Sequence, residues 1–368
     1  MARALARARR ASGRSHPNPP VGALVLRGDR VLGAGETRPA GGPHAEIVAI
    51  EAARRRHGER ALRGATLVVT LEPCCHQGRT PPCTDAILAA GIRRVWVGQR
   101  DPNPSVAGGG LRLLRRAGVT LRVGVRETEC REQHRGFLSV QQRGRPWVAL
   151  KLAATLDGRI ATARGESRWI TGPAARAWVH RLRDAADAVM VGSGTAERDD
   201  PELSVRRHGR RVRMPMRVLV DGGLRVSPGA RLFRDADAAR TLLLTRRGHP
   251  SGRLARRTAR GARALLVPAR GGHLDLARAL AQLAREGLSH VLVEGGGGLA
   301  AALLRAGLVD ELHWFLAGSL LGADARPALG ALAIRALAER RGFDFREVRR
   351  LGRDLYVRAL LSSPGGPR

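Results

Sequence analysis

Apolar segments alternate with amphipathic segments along this chain, and this alternation is what most constrains its fold. A helical pattern covers 44–57, and a continuous apolar stretch at 66–73 follows it. A second helical pattern at 83–91 precedes an apolar stretch at 93–99. Because short apolar strands separated by helices pack best as a sheet covered by helices, this pattern predicts an α/β fold.

A second alternating block follows a polar segment, QQRGRPW, at 141–147. Its strand-like stretches lie at 188–195, 216–222, 239–245, 264–268, 290–298 and 311–318. A chain of 368 residues has room for two cores at roughly 150 residues per domain. We place the linker at 141–147 and predict domains at 1–143 and 146–361, with a disordered tail at 362–368.

The formal charge of +33 would by itself indicate a nucleic acid or another anionic partner. The arginines are spread along the whole chain, however, and aromatic residues make up only 3% of it, so stacking platforms for bases are scarce. We therefore expect a small phosphorylated substrate and no nucleic-acid partner. No apolar run approaches the ~18 residues of a membrane span, so no membrane partner is expected either.

Three of the four cysteines, Cys74, Cys75 and Cys83, fall within ten residues of sequence. Such a cluster is typical of a metal or catalytic site rather than a disulfide scaffold, and the N-terminus lacks the apolar segment of a secretory signal. These features predict a reducing cytoplasm. We assign Cys75 to packing around the site, since adjacent side chains seldom bind one metal, and Cys130 to a structural thiol.

A zinc-dependent deaminase site is predicted by His44 and Glu46 at a helix start, followed by Cys74 and Cys83. Hydrolytic deamination needs Zn²⁺ with three protein ligands and a carboxylate that moves the proton of water to the leaving ammonia. His44, Cys74 and Cys83 supply the ligands, and Glu46 supplies the carboxylate. Each motif alone has an ordinary explanation, as a helix start or a buried thiol, but their combination favours the metal site.

The spacing between the two cysteines is longer than in the H-x-E…P-C-x-x-C signature of nucleobase deaminases. The extra residues bring His76 and Arg79 towards the rim, which suits a substrate with its own phosphate. Two alternatives stay open from the residues alone. One is a nucleic-acid base deaminase with an accessory domain, and the other is a non-catalytic, zinc-stabilised binding protein.

Two features of the second block are compatible with a phosphate-binding catalytic site, although a plain strand–helix turn also explains the first of them. A strand runs into four glycines at 295–298 and then into a helix, an arrangement whose bare backbone amides bind phosphate. Lys151 is the only lysine among the 65 basic residues. Because lysine can donate a proton and arginine cannot, we hypothesise that Lys151, together with Asp199, helps to protonate or orient the substrate of the second domain. Chance retention is the alternative.

Longer motifs in both halves resemble one family. In the first half these are HPNPPVG at 16–22, GGPHAE at 41–46, TLEPCCHQGRTPPC at 70–83, DPNP at 101–104 and GFLS at 136–139. In the second half they are KLAATLDGRIA at 151–161, GESRWITG at 165–172, RDDPELSVR at 198–206, VEGGGGLA at 293–300 and LLGADAR at 320–326. The chain is similar to the bifunctional riboflavin-biosynthesis deaminase/reductases over almost its whole length.

This resemblance implies a cytidine-deaminase-like domain followed by a dihydrofolate-reductase-like domain. The first would use zinc to deaminate 2,5-diamino-6-ribosylamino-4(3H)-pyrimidinone 5′-phosphate. The second would use NADPH to reduce the ribosyl side chain, giving 5-amino-6-ribitylamino-uracil 5′-phosphate. A homodimer or larger homo-oligomer is compatible with such a domain.

The resemblance also implies roles for individual residues. Asn18 would bind the pyrimidine edge, although an Asx turn between prolines explains this residue equally well. His76 and Arg79 would bind the phosphate, with a solvated loop as the alternative. The remaining NADPH contacts would be Ala153, Trp169, Thr195, Asp199, Gly222, Gly296, Gly297, Gly298, Leu299, Ala300, Ala301 and Ala302. The remaining substrate contacts would be Ser167, Arg183, Leu203, Arg206 and Glu294.

Overall fold

The computed structural model describes residues 1–78, 80–104 and 106–362 of the chain. It divides into two compact units, Met1–Gly144 and Arg145–Arg368. Each unit builds its own sheet and covers it with helices, so the predicted α/β fold class is confirmed.

The N-terminal unit contains one mixed sheet. Its strand order is β2-β1-β3-β4-β5, in which β1 is antiparallel to β2 and β3, while β3, β4 and β5 are parallel. The elements are α1 (Ala2–Ala11), β1 (Gly22–Arg27), β2 (Arg30–Glu36), α2 (Ala45–His57), β3 (Thr66–Leu71), α3 (Cys83–Ala89), β4 (Arg94–Gln99), α4 (Gly109–Arg116), β5 (Thr120–Val123), α5 (Glu127–Gln133) and α6 (Arg135–Arg143).

Close packing of α2 on β2 fixes where the first site forms. A Cβ atom added to Gly33 would lie 2.1 Å from the Ala49 carbonyl oxygen, and one added to Gly35 would lie 2.3 Å from that of Ala45. All six residues of the central strand β3 are buried. The N-terminus of α2 and the end of β3 are therefore held by a rigid core.

The predicted linker at 141–147 is partly helical. α6 continues to Arg143 and ends at Gly144, which has a left-handed φ of 65°, and the next strand begins at Trp147. The polar glutamines of this segment occupy the exposed side of a helix, so their composition reflects exposure and not a loop. Residues 363–368 of the predicted tail lie outside the described residues.

The described residues of the C-terminal unit contain a sheet of nine strands in the order β13-β12-β11-β8-β16-β6-β17-β20-β19. All neighbours are parallel except β17 with β20 and β20 with β19. The strands are β6 (Trp147–Thr155), β7 (Arg159–Ala161), β8 (Ala188–Gly192), β9 (Val205–Arg207), β10 (Arg210–Arg213), β11 (Met216–Val220), β12 (Thr241–Thr245), β13 (Arg263–Leu266), β14 (Ala269–Arg270), β15 (His273–Leu274), β16 (His290–Val293), β17 (Glu311–Ala317), β18 (Arg326–Pro327), β19 (Phe343–Leu351) and β20 (Asp354–Leu361).

The helices of this unit lie between its strands. They are α7 (Pro173–Ala185), α8 (Ser193–Asp199), α9 (Arg231–Arg234), α10 (Ser251–Thr258), α11 (Leu276–Arg285) and α12 (Gly297–Arg305). Since the central strands are parallel, their carboxyl ends share one edge of the sheet, which is where open α/β sheets bind ligands. The loops after β8, β11, β12 and β16 all lie at this edge.

Two features of this unit differ from the sequence prediction. The apolar stretches at 188–195 and 290–298 leave the sheet early, at Gly192 and Val293, where helices begin soon afterwards. The hairpin of β19 and β20 was not predicted, because β19 carries five charged residues among its nine and has no clear alternation. Among the described residues, no helix is both long and apolar enough to cross a membrane.

Candidate active sites

The ligand atoms of His44, Cys74 and Cys83 come together in the N-terminal unit, all within 4.8 Å of one another. Nδ1 of His44 lies 3.2 Å from Sγ of Cys83 and 3.6 Å from Sγ of Cys74. His44 precedes α2 as its N-cap, Cys74 follows β3, and Cys83 begins α3. One imidazole and two thiols in this arrangement are the nitrogen and sulfur donors that zinc prefers, with a fourth position left for water.

Glu46 lies beside this cluster in the first turn of α2 and is only 4% exposed. Burial raises the pKa of Glu46 to about 7, although His44 opposes the rise. A carboxyl group with a pKa near neutrality can accept a proton and release it again, which is what a shuttle between water and an amine must do.

The two thiols share a hydrogen bond and differ in acidity. The hydrogen bond from Cys83 lowers the pKa of Cys74 to about 4, whereas the same bond raises the pKa of Cys83 well above its ordinary value. The backbone N–H of Cys83 also donates to Sγ of Cys74 at 3.3 Å. Cys74 is therefore the thiolate before metal binding, and binding of a metal releases the proton of Cys83.

Glu72, two residues before Cys74, has a structural role that its position in the TLEPC sequence did not predict. Its carboxylate accepts the backbone N–H groups of Asp101, Gly108 and Leu111, each at 3.2 Å. Gly110 allows this approach, because an added Cβ would lie 2.1 Å from the carbonyl oxygen of Pro73. Glu72 thus fixes the loop after β4 against the end of β3.

Asp101 is a third buried carboxylate near the cluster, after Glu46 and Glu72, and no role was predicted for it. Burial raises the pKa of Asp101 to about 6, with Glu72 and Cys74 adding to the rise and His76 opposing it. The predicted substrate contact His76 is exposed at this rim. Its partner in that prediction, Arg79, lies outside the described residues. The one sequence feature that pointed to Asp101 was its place at the start of the DPNP motif at 101–104.

The backbone of the predicted substrate contact Asn18 is fixed by two hydrogen bonds with Ser15, of 2.9 and 3.0 Å.

Among the described residues the metal cluster does not include Cys75. Its Sγ packs against Gly109, where an added Cβ would lie only 2.8 Å from the sulfur. Cys130 is fully buried, and its Sγ packs onto Gly98. Both placements agree with the packing roles predicted for these two cysteines.

An ion pair marks the second site, at the carboxyl end of β16. Arg183 of α7 donates to both carboxylate oxygens of Glu294, at 2.6 and 3.0 Å, and to the carbonyl oxygen of Ser204 at 2.8 Å. Burial alone would raise the pKa of Glu294, but Arg183, Lys151 and His180 together lower it. Glu294 is therefore ionised next to two cations, Arg183 and Lys151.

Lys151 lies next to Glu294 because its neighbour Leu150 pairs with Val293 across β6 and β16. The residue as a whole is half-buried, and burial lowers the pKa of Lys151 while Glu294 opposes the decrease. Its Nζ lies 5.9 Å from the centre of the Phe315 ring. An amine held with its pKa below the ordinary range is suited to donate a proton.

The glycine loop caps helix α12. Gly296 is its N-cap, and the Gly296 N–H donates to Oγ1 of Thr195 at 2.9 Å, which joins the ends of β16 and β8. Gly298 has no neighbouring atom within 4 Å of an added Cβ, so its backbone is open to a ligand. This open helix start fits a cofactor pyrophosphate. Ala300 and Ala301, by contrast, are fully buried in the core.

The other residues predicted for this site differ widely in exposure. Trp169 is 71% exposed, with the guanidinium of Arg176 at 4.5 Å from its ring centre. Leu203 is buried and has a left-handed φ of 59°. Arg206 pairs with Glu202 at 2.6 Å. The others are half-buried or exposed: Ala153, Ser167, Asp199, Gly222, Gly297, Leu299 and Ala302.

Two family models match the chain. The cytidine and deoxycytidylate deaminase zinc-binding region matches residues 1–99, and the RibD C-terminal domain matches residues 146–357. The riboflavin biosynthesis protein RibD of Escherichia coli is 41% identical over 371 residues, covering 97% of each chain. That of Aquifex aeolicus is 38% identical and covers 96% of this chain and 95% of its own.

Solved structures agree over the full length. Acinetobacter baumannii RibD superposes with a TM-score of 0.86 at 35% identity, covering 99% of this chain and 98% of that one. The diaminohydroxyphosphoribosylaminopyrimidine deaminase/5-amino-6-(5-phosphoribosylamino)uracil reductase of Thermotoga maritima gives 0.84 at 35% identity, covering 98% and 97%. These likenesses favour the two-activity enzyme over a nucleic-acid base deaminase.

The predicted domains, a cytidine-deaminase-like one followed by a dihydrofolate-reductase-like one, are confirmed. So are the predicted zinc of the deaminase and NADPH of the reductase. The chain belongs to the family of bifunctional riboflavin-biosynthesis enzymes, which combine a deaminase with a reductase.

Proposed function

We propose that the N-terminal unit deaminates 2,5-diamino-6-ribosylamino-4(3H)-pyrimidinone 5′-phosphate and that the C-terminal unit reduces the ribosyl chain of the product to ribityl. The observation that carries the deaminase half is the buried Glu46 beside the converging ligand atoms of His44, Cys74 and Cys83. The Thermotoga relative bears the name of these two activities.

In the deaminase, His44, Cys74 and Cys83 hold zinc, which when bound acts as a Lewis acid and makes a water molecule nucleophilic near neutral pH. Glu46 takes the proton from the attacking water and delivers it to the departing amino group. Its buried position excludes bulk water from this transfer. Glu72 keeps the Asp101 loop at the rim. In this proposal His76 and Arg79 bind the ribosyl phosphate, and Asn18 binds the pyrimidine edge.

In the reductase, NADPH supplies the hydride. Gly297 and Gly298 would present backbone amides to its pyrophosphate, and Gly296 and Thr195 would hold the loop in place through the hydrogen bond from the Gly296 N–H to Oγ1 of Thr195. Along the same edge, Ala153, Trp169, Asp199, Gly222, Leu299 and Ala302 would complete the cofactor site, whereas the predicted contacts Ala300 and Ala301 are buried in the core.

Glu294, just after β16, and Lys151, in the middle of the adjacent strand β6, face the ribosyl chain. Lys151 donates the proton that must accompany hydride transfer to the opened sugar, while Glu294 keeps the amine charged and hydrogen-bonds a ribose hydroxyl. Arg183 orients Glu294, and Arg206 supplies a guanidinium for the substrate phosphate. Ser167 and the backbone of Leu203 border this position.

Incubation of the purified protein with the diaminopyrimidinone phosphate tests both halves. Ammonia should appear without NADPH, and NADPH should then be consumed in proportion to the ammonia released. If zinc-loaded protein releases no ammonia, the deaminase proposal is wrong. If ammonia is released but NADPH is never consumed, the reductase proposal is wrong.

The four free cysteines support a reducing compartment, the cytoplasm, because zinc ligands must stay as thiolates. The exposed edge strand β19, with Phe345 74% and Val348 62% exposed, supports pairing with a second copy. Sedimentation of wild type and Phe345→Lys distinguishes monomer from homodimer. A wild type that sediments as a monomer contradicts the homodimer.

A further inference from the structure

One cation at the carboxyl edge of the reductase sheet has no role in the chemistry above. Arg225 lies in the loop after β11 and is exposed. Its guanidinium donates to Oγ of Ser193 at 2.6 Å. Ser193 directly follows β8, the neighbour of β11 in the sheet, so this bond joins the ends of two adjacent strands.

The Arg225–Ser193 bond extends the polar rim that begins at the glycine loop. Gly296 bonds to Thr195, Thr195 is two residues beyond Ser193, and Ser193 bonds to Arg225. The rim thus crosses from β16 over β8 to β11, which is two strand spacings, or ~10 Å. A dinucleotide whose pyrophosphate lies at Gly296 would place its adenosine ribose near Arg225.

The acidic residue at this strand end is turned away from the rim. Enzymes that use NADH commonly place a carboxylate at such a position to accept the ribose 2′-hydroxyl, whereas an arginine accommodates the 2′-phosphate of NADPH. Asp221 is 1% exposed, and its oxygens accept the backbone N–H groups of Arg225 at 3.0 Å and Val226 at 2.8 Å. The buried acid fixes the turn, and the exposed Arg225 is the charged side chain that this turn offers to a ligand.

The neighbouring loop adds positive charge. His249 donates to the Gly222 carbonyl oxygen at 2.9 Å, so the loop after β12 is tied to the loop after β11. That loop carries Arg246 and Arg247, both exposed. The positive charges of Arg246 and Arg247 favour a phosphate dianion at this edge of the sheet. Both residues follow β12, however, which lies one strand further from the glycine loop than β11, the strand before Arg225.

We propose that Arg225, oriented by Ser193, binds the 2′-phosphate of NADPH and determines the preference of this enzyme for NADPH over NADH. A guanidinium fork matches a phosphate, and the serine hydroxyl adds a second donor once the cofactor is bound. This inference rests on the proposed position of NADPH along the carboxyl edge.

Binding of nucleotides without pyrimidine substrate tests it by calorimetry. NADPH, NADH, 2′,5′-ADP and 5′-AMP are titrated into the full chain as wild type, Arg225→Gln and Ser193→Ala. Arg225→Gln should weaken NADPH and 2′,5′-ADP binding by roughly 10- to 100-fold, the strength of a charge-assisted hydrogen bond, and leave NADH and 5′-AMP unchanged. Ser193→Ala should weaken the same two ligands less.

Arg285→Gln is the matched control, since Arg285 is exposed at the end of α11 and leads into the amino end of β16, at the opposite edge of the sheet. It removes the same charge and should change no affinity. The inference is overturned if Arg225→Gln weakens the affinities for NADPH and NADH equally, or if it leaves the affinity for NADPH unchanged. If the wild type binds none of these nucleotides, the placement of the cofactor itself is wrong.

Discussion

The buried ion pair of Arg183 and Glu294 allows a sharp test of the reductase site. The substitution Glu294→Gln keeps the shape of the side chain but removes its charge. It also replaces one acceptor oxygen by a donor, so one of the two bonds of 2.6 and 3.0 Å to Arg183 becomes a contact between donors. The side chains of the pair are only 17% and 10% exposed, so water replaces the lost charge poorly.

Removing one partner of a buried pair typically costs about 3–5 kcal/mol, and the retained hydrogen bond places this case near the lower value. We expect the free energy of unfolding of the reductase domain to fall by about 3 kcal/mol. Urea unfolding followed by tryptophan fluorescence measures this change. The matched control is Glu286→Gln, whose exposed pairing with Arg263 should be worth less than about 1 kcal/mol.

The same substitution should move the pH dependence of NADPH oxidation. Glu294 raises the pKa of Lys151 against the lowering effect of burial, so its loss lowers that pKa further. If charged Lys151 is the proton donor, activity falls as pH rises through its pKa, and the alkaline limb of the profile moves to lower pH. Stability equal to that of the control, or an alkaline limb that does not move, would refute the reasoning.

Three further predictions concern the chain outside this pair. Glu46→Gln should slow ammonia release about 100- to 10,000-fold while zinc content and NADPH oxidation of supplied intermediate stay unchanged; loss of zinc would contradict its role as proton carrier. Cys83→Ser should reduce bound zinc, measured by atomic absorption, whereas Cys75→Ser should retain it. Hydrogen bonds from Thr155 and Gly322 lower the pKa of Asp157 from 3.8 to about 2. The ionised Asp157 therefore stabilises the fold at neutral pH, and this stabilisation is lost as the pH falls from about 3.8 to about 2. Acid unfolding of Asp157→Asn should therefore depend less on pH there.

Much of the deaminase site was accessible from sequence because its residues lie in short, contiguous motifs. His44 and Glu46 share one helical turn, and Cys74 and Cys83 border a single loop. Once strands and helices alternate, the ends of neighbouring elements must meet at one edge of the sheet. The role of Glu72 was not accessible, because its partners are backbone amides in a loop beyond the next strand.

The reductase site depended far more on tertiary structure. Arg183 and Glu294 are separated by 111 positions, and Arg225 and Ser193 by 32. In a chain with 65 basic residues, nothing local distinguishes the arginine that binds a carboxylate from those on solvated faces. The β19–β20 hairpin was missed for a related reason, since its charged residues are accommodated only because β19 is an edge strand.

By itself, the sequence determined the α/β class, the ligand types of the metal site and the presence of a glycine loop at a helix start. These depend on local periodicity and on the chemistry of single side chains. Only the tertiary structure decided which distant charges pair and which carboxylates are buried. It alone made Asp221 a fixed element of a turn and left Arg225 at the rim. Strand order brings such groups together, and strand order follows from packing the whole sheet rather than from any one segment.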